Sequence, residues 1–198
     1  MASDPSPAAR RTRPGGRTER HTQAIHDAVL RRLEQAGYGA LTFNDVAEAA
    51  GVARSTLYRR WSGRAELVLD AIGVSLTERI VAPDTGSLRE DMRGVLRQIG
   101  AYISTPLGRA ALTASIEIGT MEAAGDRLER WRTRLSAFDV MFDRAQARGE
   151  IAAELDRNAA FALAAGAVHF RLIFTGEAID EAWVDRVIGL WSGLLTIN

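Results

Sequence analysis

The chain's 198 residues are 46% hydrophobic and 25% charged, enough to bury a core in one large or two small domains. All 25 basic side chains are arginine, balanced by 25 acids, and cysteine is absent, which excludes lysine-based catalysis, thiol catalysis, disulfides and cysteine metal sites. Zero net charge alone argues against a nucleic-acid partner, but the charge is uneven: residues 1–70 carry eleven arginines against eight acids, net +3, and residues 71–198 carry net −3.

Residues 1–17, MASDPSPAARRTRPGGR, are rich in Pro, Ser, Gly and Arg and are expected to form a disordered arm, either a solubilising tail or a segment that orders against DNA. From Thr18 to about Ala36, the residues Ala24, Ile25, Ala28, Val29, Leu33 and Ala36 recur at helical spacing, and Gly37 ends the helix. His21 and His26 stand five apart, so they make no same-face metal pair and read as surface histidines. Thr42 with Asp45 three residues later resembles a capping box and opens a short helix at Phe43 or Asn44, with Phe43, Val46, Ala47 and Ala50 on one face. Gly51 supplies a sharp turn and Val52 an apolar plug. A second short helix then runs from Ala53 or Arg54 to Arg60. Leu57 and Trp61 face inward; Arg54, Ser55, Thr56, Tyr58, Arg59 and Arg60 crowd the rest of its surface. A charged face is often only solvated. Here hydroxyl, aromatic and guanidinium groups follow a tight turn directly, which is how a helix-turn-helix presents side chains to a DNA groove.

A fourth helix starts near Arg64 and carries Leu67, Val68, Ala71, Ile72 and Leu76, and the stretch Val81 to Gly86 is the best break in the chain. Behind it, Ser87 with Glu90 is a second capping-box candidate for a helix to about Ser104. Thr105-Pro106 opens another to about Ile118. Gly125-Asp126 precedes a long helix to Arg148, stopped at Gly149. Asp156 caps one running to Thr175, stopped at Gly176, and Asp180 caps the last, to about Leu195. No segment alternates like a strand, so the expected fold class is all-α, with about nine helices. The expected division is an arm at 1–17, a three-helix helix-turn-helix domain with its connecting helix at 18–80, and a helical bundle at 84–198. No apolar run reaches membrane-spanning length; the nearest, Ala159 to Val168, is short and is followed by His169 and Arg171. Arg10-Arg11 has no apolar region behind it, so no export signal is expected, and the cytoplasm is the default location.

Thr42, Val46-Ala47-x-x-Ala50-Gly51-Val52, Ser55-Thr56-Leu57-Tyr58, the aromatic Trp61 and the basic Arg64 together resemble the DNA-binding domain of the TetR family of bacterial regulators. The likeness in close form covers roughly Gln23 to Ile72. It implies that the second motif helix enters the major groove, with Arg54, Ser55 and Tyr58 at base edges, Thr42, Thr56, Arg60 and Arg64 at phosphates, and Arg59 able to do either. The chain departs from the family at Arg64, where lysine is usual, at Gly63 in the preceding cap position, and at Trp61, where phenylalanine is more common.

The later helices resemble, more loosely and in layout, the family's C-terminal domain, which binds a small molecule and pairs two subunits. Leu96, Ile99, Tyr102, Ile103, Ile116, Trp131, Leu135, Phe138 and His169 are the expected pocket residues for a hydrophobic or amphipathic effector, although most such residues simply fill a core. Leu163, Ala167, Phe170, Trp183, Val187, Leu190 and Trp191 are expected at a homodimer interface, because small residues allow close helix approach and aromatics are enriched at interfaces.

An enzyme is the competing class, but the chain has no GxSxG, glycine-rich phosphate loop, HExxH or SxxK. No cofactor or metal is expected. The expectation is a dimeric regulator of a palindromic operator in double-stranded DNA, released by a ligand. An activator, a ligand-independent regulator of the same fold, or a helical interaction module remain as alternatives.

Overall fold

A computed structural model describes residues 15–121, 132–133 and 135–195, and among these it has nine α-helices and no strand. They are α1 (Gly15–Ala40), α2 (Phe43–Ala50), α3 (Arg54–Arg60), α4 (Arg64–Arg79), α5 (Leu88–Ile103), α6 (Pro106–Met121), α7 (Asp139–Ala147), α8 (Arg157–Phe170) and α9 (Glu181–Leu195).

Most helix boundaries follow local chemistry. Thr42 Oγ1 accepts the Asp45 amide at 3.2 Å and opens α2. Gly51, at φ 64, closes it: its amide donates to the Glu48 carbonyl at 3.1 Å and the Val52 amide to the Ala47 carbonyl at 3.0 Å, the paired bonds of a left-handed glycine stop. Asp156 accepts the Ala159 amide at 3.0 Å to open α8, and Asp180 accepts the Trp183 amide at 2.7 Å in the first turn of α9. Thr105 Oγ1 accepts the Gly108 amide at 2.9 Å where α6 begins.

Three expectations are corrected. The first helix begins at Gly15 instead of Thr18; its regular turns end at Gly37, as expected, where φ of 74 and ψ of 175 are not helical, and residues 38–40 lead on from that break towards α2. Ser87 makes no side-chain cap; the Leu88 amide is taken instead by Glu150 Oε2 at 2.7 Å, and Glu90 pairs with Arg93. The long helix ending at Arg148 is not continuous. A 3-10 turn at Ser136–Phe138 precedes α7, where Ser136 Oγ bonds back to the Thr133 carbonyl at 2.7 Å and competes with the helical ladder. Its expected start at Gly125-Asp126 lies outside the described residues, as does most of the N-terminal arm. The helix that Asp156 opens does run to Thr175 and stop at Gly176, φ 67, as expected, its last stretch Arg171–Thr175 widening into a π turn beyond α8.

α1 lies against α2, α4 and α6, while α5 packs on α6, α7, α8 and α9. The buried side chains form one cluster from Ile25 in α1 to Trp191 in α9. Where α5 meets α6, a Cβ on Gly108 would sit 1.9 Å from the Tyr102 carbonyl oxygen, so only glycine fits that approach. Residues 157–175 make a helical stretch long and apolar enough to cross a membrane by length and composition; Ala160, Phe161, Ala164 and Val168 on it belong to the protein's own core.

Candidate nucleic-acid interface

α3 is seven residues long and held from below by one buried leucine, Leu57, with Trp61 buried just beyond its end. That leaves Arg54, Ser55, Tyr58 and Arg59 together on one exposed surface, directly past the Gly51 corner. Tyr58 is 53% exposed yet fixed at both ends. Its ring lies 4.7 Å from that of Phe43 in α2, and its hydroxyl accepts a 2.8 Å bond from Arg54 Nη2. The Arg54 guanidinium also sits 5.2 Å from the Tyr58 ring centre. An ordered guanidinium beside an ordered phenol can present planar donors to a base edge without ordering both side chains on binding.

The residues expected at phosphates are placed less uniformly. Thr42 is exposed, but its hydroxyl also donates to Asp45 Oδ2 at 2.7 Å, and Asp45 pairs with Arg32 at 3.7 Å. Thr56 is half-buried. Arg60 donates to the Thr22 hydroxyl of α1 and lies 4.9 Å over the Trp61 ring. Arg64 is half-buried and turned inward: Nη1 donates to the carbonyls of Gly39 and Leu41, each at 3.2 Å, and the guanidinium lies 4.2 Å over the Tyr38 ring.

Behind the reading surface is a polar knot that the sequence did not reveal. His26 is buried, 3% exposed, with Nε2 3.1 Å from Asp70 Oδ2, and Trp61 Nε1 donates to the same oxygen at 2.9 Å. One carboxylate oxygen thereby ties α1, α4 and the end of the recognition helix. The His26 bond holds the Asp70 carboxyl below its ordinary value; burial pushes it the other way, and Trp61 adds to the lowering. His26 is therefore no surface residue. The pair is 44 positions apart, and the one hint is a carboxylate set among Leu67, Val68, Leu69, Ala71 and Ile72.

Of the expected pocket residues, Leu96, Ile99, Tyr102 and Ile103 are buried along α5, Leu135 and Phe138 are half-buried, and Ile116 is 51% exposed. Trp131 lies outside the described residues. Burial raises the Tyr102 pKa, opposed by Ser75 and Arg79, and its buried hydroxyl makes no hydrogen bond of good geometry. His169 is half-buried and its Nδ1 donates to the Ala165 carbonyl at 2.8 Å, so that nitrogen carries the proton.

The expected interface residues divide. Leu163, Phe170 and Leu190 are exposed, together with Phe174 and Leu194. Ala167, Trp183 and Val187 are half-buried, and Arg171 lies 5.1 Å over the Trp183 ring. Trp191 is corrected: it is 3% exposed and its Nε1 donates to the Ala160 carbonyl at 2.7 Å, so it joins α9 to α8 inside the subunit.

Residues 25–71 match "Bacterial regulatory proteins, tetR family", and residues 82–190 match "Tetracyclin repressor-like, C-terminal domain". The regulator AqdR of Rhodococcus erythropolis is 28% identical, the match covering 95% of this chain and 90% of AqdR. A DNA-binding transcriptional repressor TetR of Mycobacteroides abscessus is 31% identical over 87% of this chain and 92% of that protein. The crystal structure of the TetR-family regulator SCO0332 superposes with a TM-score of 0.69 at 29% identity, over 88% of this chain and 98% of that one. With the glycine-cornered α2–α3 pair inside one matched region and the helical C-terminal part inside the other, this chain belongs to the TetR family of DNA-binding transcriptional regulators.

Proposed function

We propose that the protein is a cytoplasmic, ligand-released repressor that binds a palindromic operator as a homodimer, with residues 18–80 as the reading head and residues 84–198 as the regulatory and pairing domain. The observation that carries this reading is the pre-ordered Arg54–Tyr58 pair on an exposed helix directly past a tight corner. Arg54, Ser55, Tyr58 and Arg59 are assigned to base edges, and Thr42, Thr56 and Arg60 to the backbone, where hydroxyls and guanidinium groups set register. The repressor role is supported by likeness to a relative named as one.

Dimerisation is supported by the exposed apolar side chains of Leu163, Phe170, Phe174, Leu190 and Leu194 on α8, its π turn and α9. Large apolar side chains left exposed on neighbouring elements suit an interface, and a second copy would cover them about a two-fold axis. Pairing matters because residues 1–70 carry only net +3. Two heads spaced ~34–36 Å apart would double that weak attraction on successive turns of the duplex. Tyr102, with a buried hydroxyl in need of a partner, supports a pocket on α5 for an amphipathic effector. An effector that favours wrongly spaced heads must itself bind more weakly to the operator complex, by the same factor.

Selection of bound duplexes from a random pool by the ligand-free protein tests this. Recovery of an inverted repeat supports the reading; binding to all duplexes alike at physiological salt overturns it. Repeating the selection across a metabolite panel identifies an effector as the compound that releases the recovered duplex.

A further inference from the structure

We propose that Arg64 is a positioning residue that clamps the α1–α2 connection and makes no phosphate contact of its own, an inference that rests on the DNA-binding reading. Arg64 opens α4, where the helix dipole disfavours a cation. Its guanidinium is nonetheless turned back across the connection that enters α2. There it spans the Gly39 and Leu41 carbonyls, at 3.2 Å each, and covers the Tyr38 ring face at 4.2 Å.

The connection needs such a clamp. It contains two glycines, Gly37 and Gly39, and Gly37 is left-handed at φ 74. Two glycines give this corner more backbone freedom to lose than any other pair of residues would. The corner sets how α2, and through the Phe43–Tyr58 contact α3, stands on α1. Across it the Leu41 amide reaches back to the Tyr38 carbonyl at 3.2 Å. Tyr38 at 6% and Leu41 at 1% exposure anchor the two ends, and the guanidinium fixes the polar backbone between them. One nitrogen, Nη1, makes both bonds while the flat guanidinium lies over the ring. An ammonium, with three N–H donors, can reach the two carbonyls but has no planar group to lay on the Tyr38 ring.

The two roles separate by substitution. Arg64→Lys preserves the charge and loses the planar group that lies on the ring; Tyr38→Leu preserves the arginine and loses the ring face; Tyr38→Phe keeps the face. The probe is the duplex recovered by selection with the wild-type protein, titrated from 50 to 200 mM salt, with circular dichroism confirming that each variant is folded. A clamp predicts that Arg64→Lys and Tyr38→Leu each weaken binding by about tenfold, that Tyr38→Phe binds as wild type, and that the slope of log affinity on log salt is unchanged. A phosphate contact predicts wild-type affinity for Arg64→Lys and Tyr38→Leu, and a slope reduced by ~0.9 in Arg64→Gln; either result overturns the proposal.

Hydrogen exchange supplies a readout without DNA. The Leu41 amide exchanges faster in Arg64→Lys than in wild type if the clamp exists, and at the same rate if it does not. Should the wild type select no duplex, the DNA reading fails, while this exchange experiment still decides the clamp.

Discussion

His26 meets Asp70 across the gap between α1 and α4, Nε2 to Oδ2 at 3.1 Å, and Trp61 Nε1 closes on the same oxygen at 2.9 Å. Removing the carboxylate orphans two buried ring nitrogens at once. Asp70→Ala should therefore lower unfolding free energy by about 1–3 kcal/mol in urea titration, and a loss under 0.5 kcal/mol would show the knot to be incidental. Arg54 binding to DNA should suffer less than stability does, because Asp70 does not reach the α3 surface.

The same knot has a pH dependence of definite sign. The Asp70 carboxyl is depressed in the folded protein, chiefly by its bond to His26. A depressed carboxyl adds stability that is present above the ordinary carboxylate range and is lost as pH falls through the folded value. Thermal melting should drop below about pH 4, and the drop should be smaller in Asp70→Asn, which has nothing there to protonate. The carboxylate is 45% exposed, so solvent screens the effect. Equal pH profiles in the two proteins would count against it.

Specificity should separate from affinity on α3. Arg54→Ala removes both a candidate guanine contact and the donor that orders Tyr58. Discrimination at one base pair of the selected duplex should fall by about 1–3 kcal/mol, with binding to unrelated duplexes nearly unchanged. Tyr58→Phe, which loses only the hydroxyl accepting the 2.8 Å bond, should have a smaller effect on the same base pair. Competition titrations with single-base variants of the duplex measure both.

At the subunit surface, two leucine-and-tryptophan substitutions on one helix should behave oppositely. Leu190 is 76% exposed, so Leu190→Arg should leave the monomer folded and abolish pairing in light scattering. Trp191 is 3% exposed, so Trp191→Ala should cost about 3–5 kcal/mol of stability by opening a cavity. A Leu190→Arg protein that stays dimeric would remove α9 from the interface.

Gly108→Ala tests the α5–α6 approach. The added Cβ meets backbone, 1.9 Å from the Tyr102 carbonyl oxygen, which cannot swing aside. Destabilisation of about 3 kcal/mol is expected in urea titration, and a loss under about 0.5 kcal/mol would show that the two helices can part there.

What the sequence disclosed and what it concealed follow from the range of the interactions. Thr42, Gly51, Asp156 and Asp180 act within five residues of themselves, so each could be read from spacing and each does its expected task. Ser87 had the right spacing too, but Glu150, far along the chain, took the amide it was expected to serve. His26 and Arg64 find their partners across 44 and 23–25 positions, where no periodicity reports. α9 misled for a different reason. It is apolar on two faces, and helical spacing alone does not say which face meets its own subunit; Trp191 turned out to be on the inner one. The outward α3 side chains were legible because a seven-residue helix with one buried leucine has little else to do with its surface.

The seating of α1 on α6 bears on how such regulators can be recombined. Buried side chains run without a gap from Ile25 to Trp191, so a graft cut near residue 81 would divide one interior between two ancestries. A hybrid that borrows another regulator's first four helices should inherit mismatched packing along α6 and unfold more readily than either parent. The portable unit for engineering is the outer surface of α3, a handful of side chains, and the scaffold beneath should stay with its original owner.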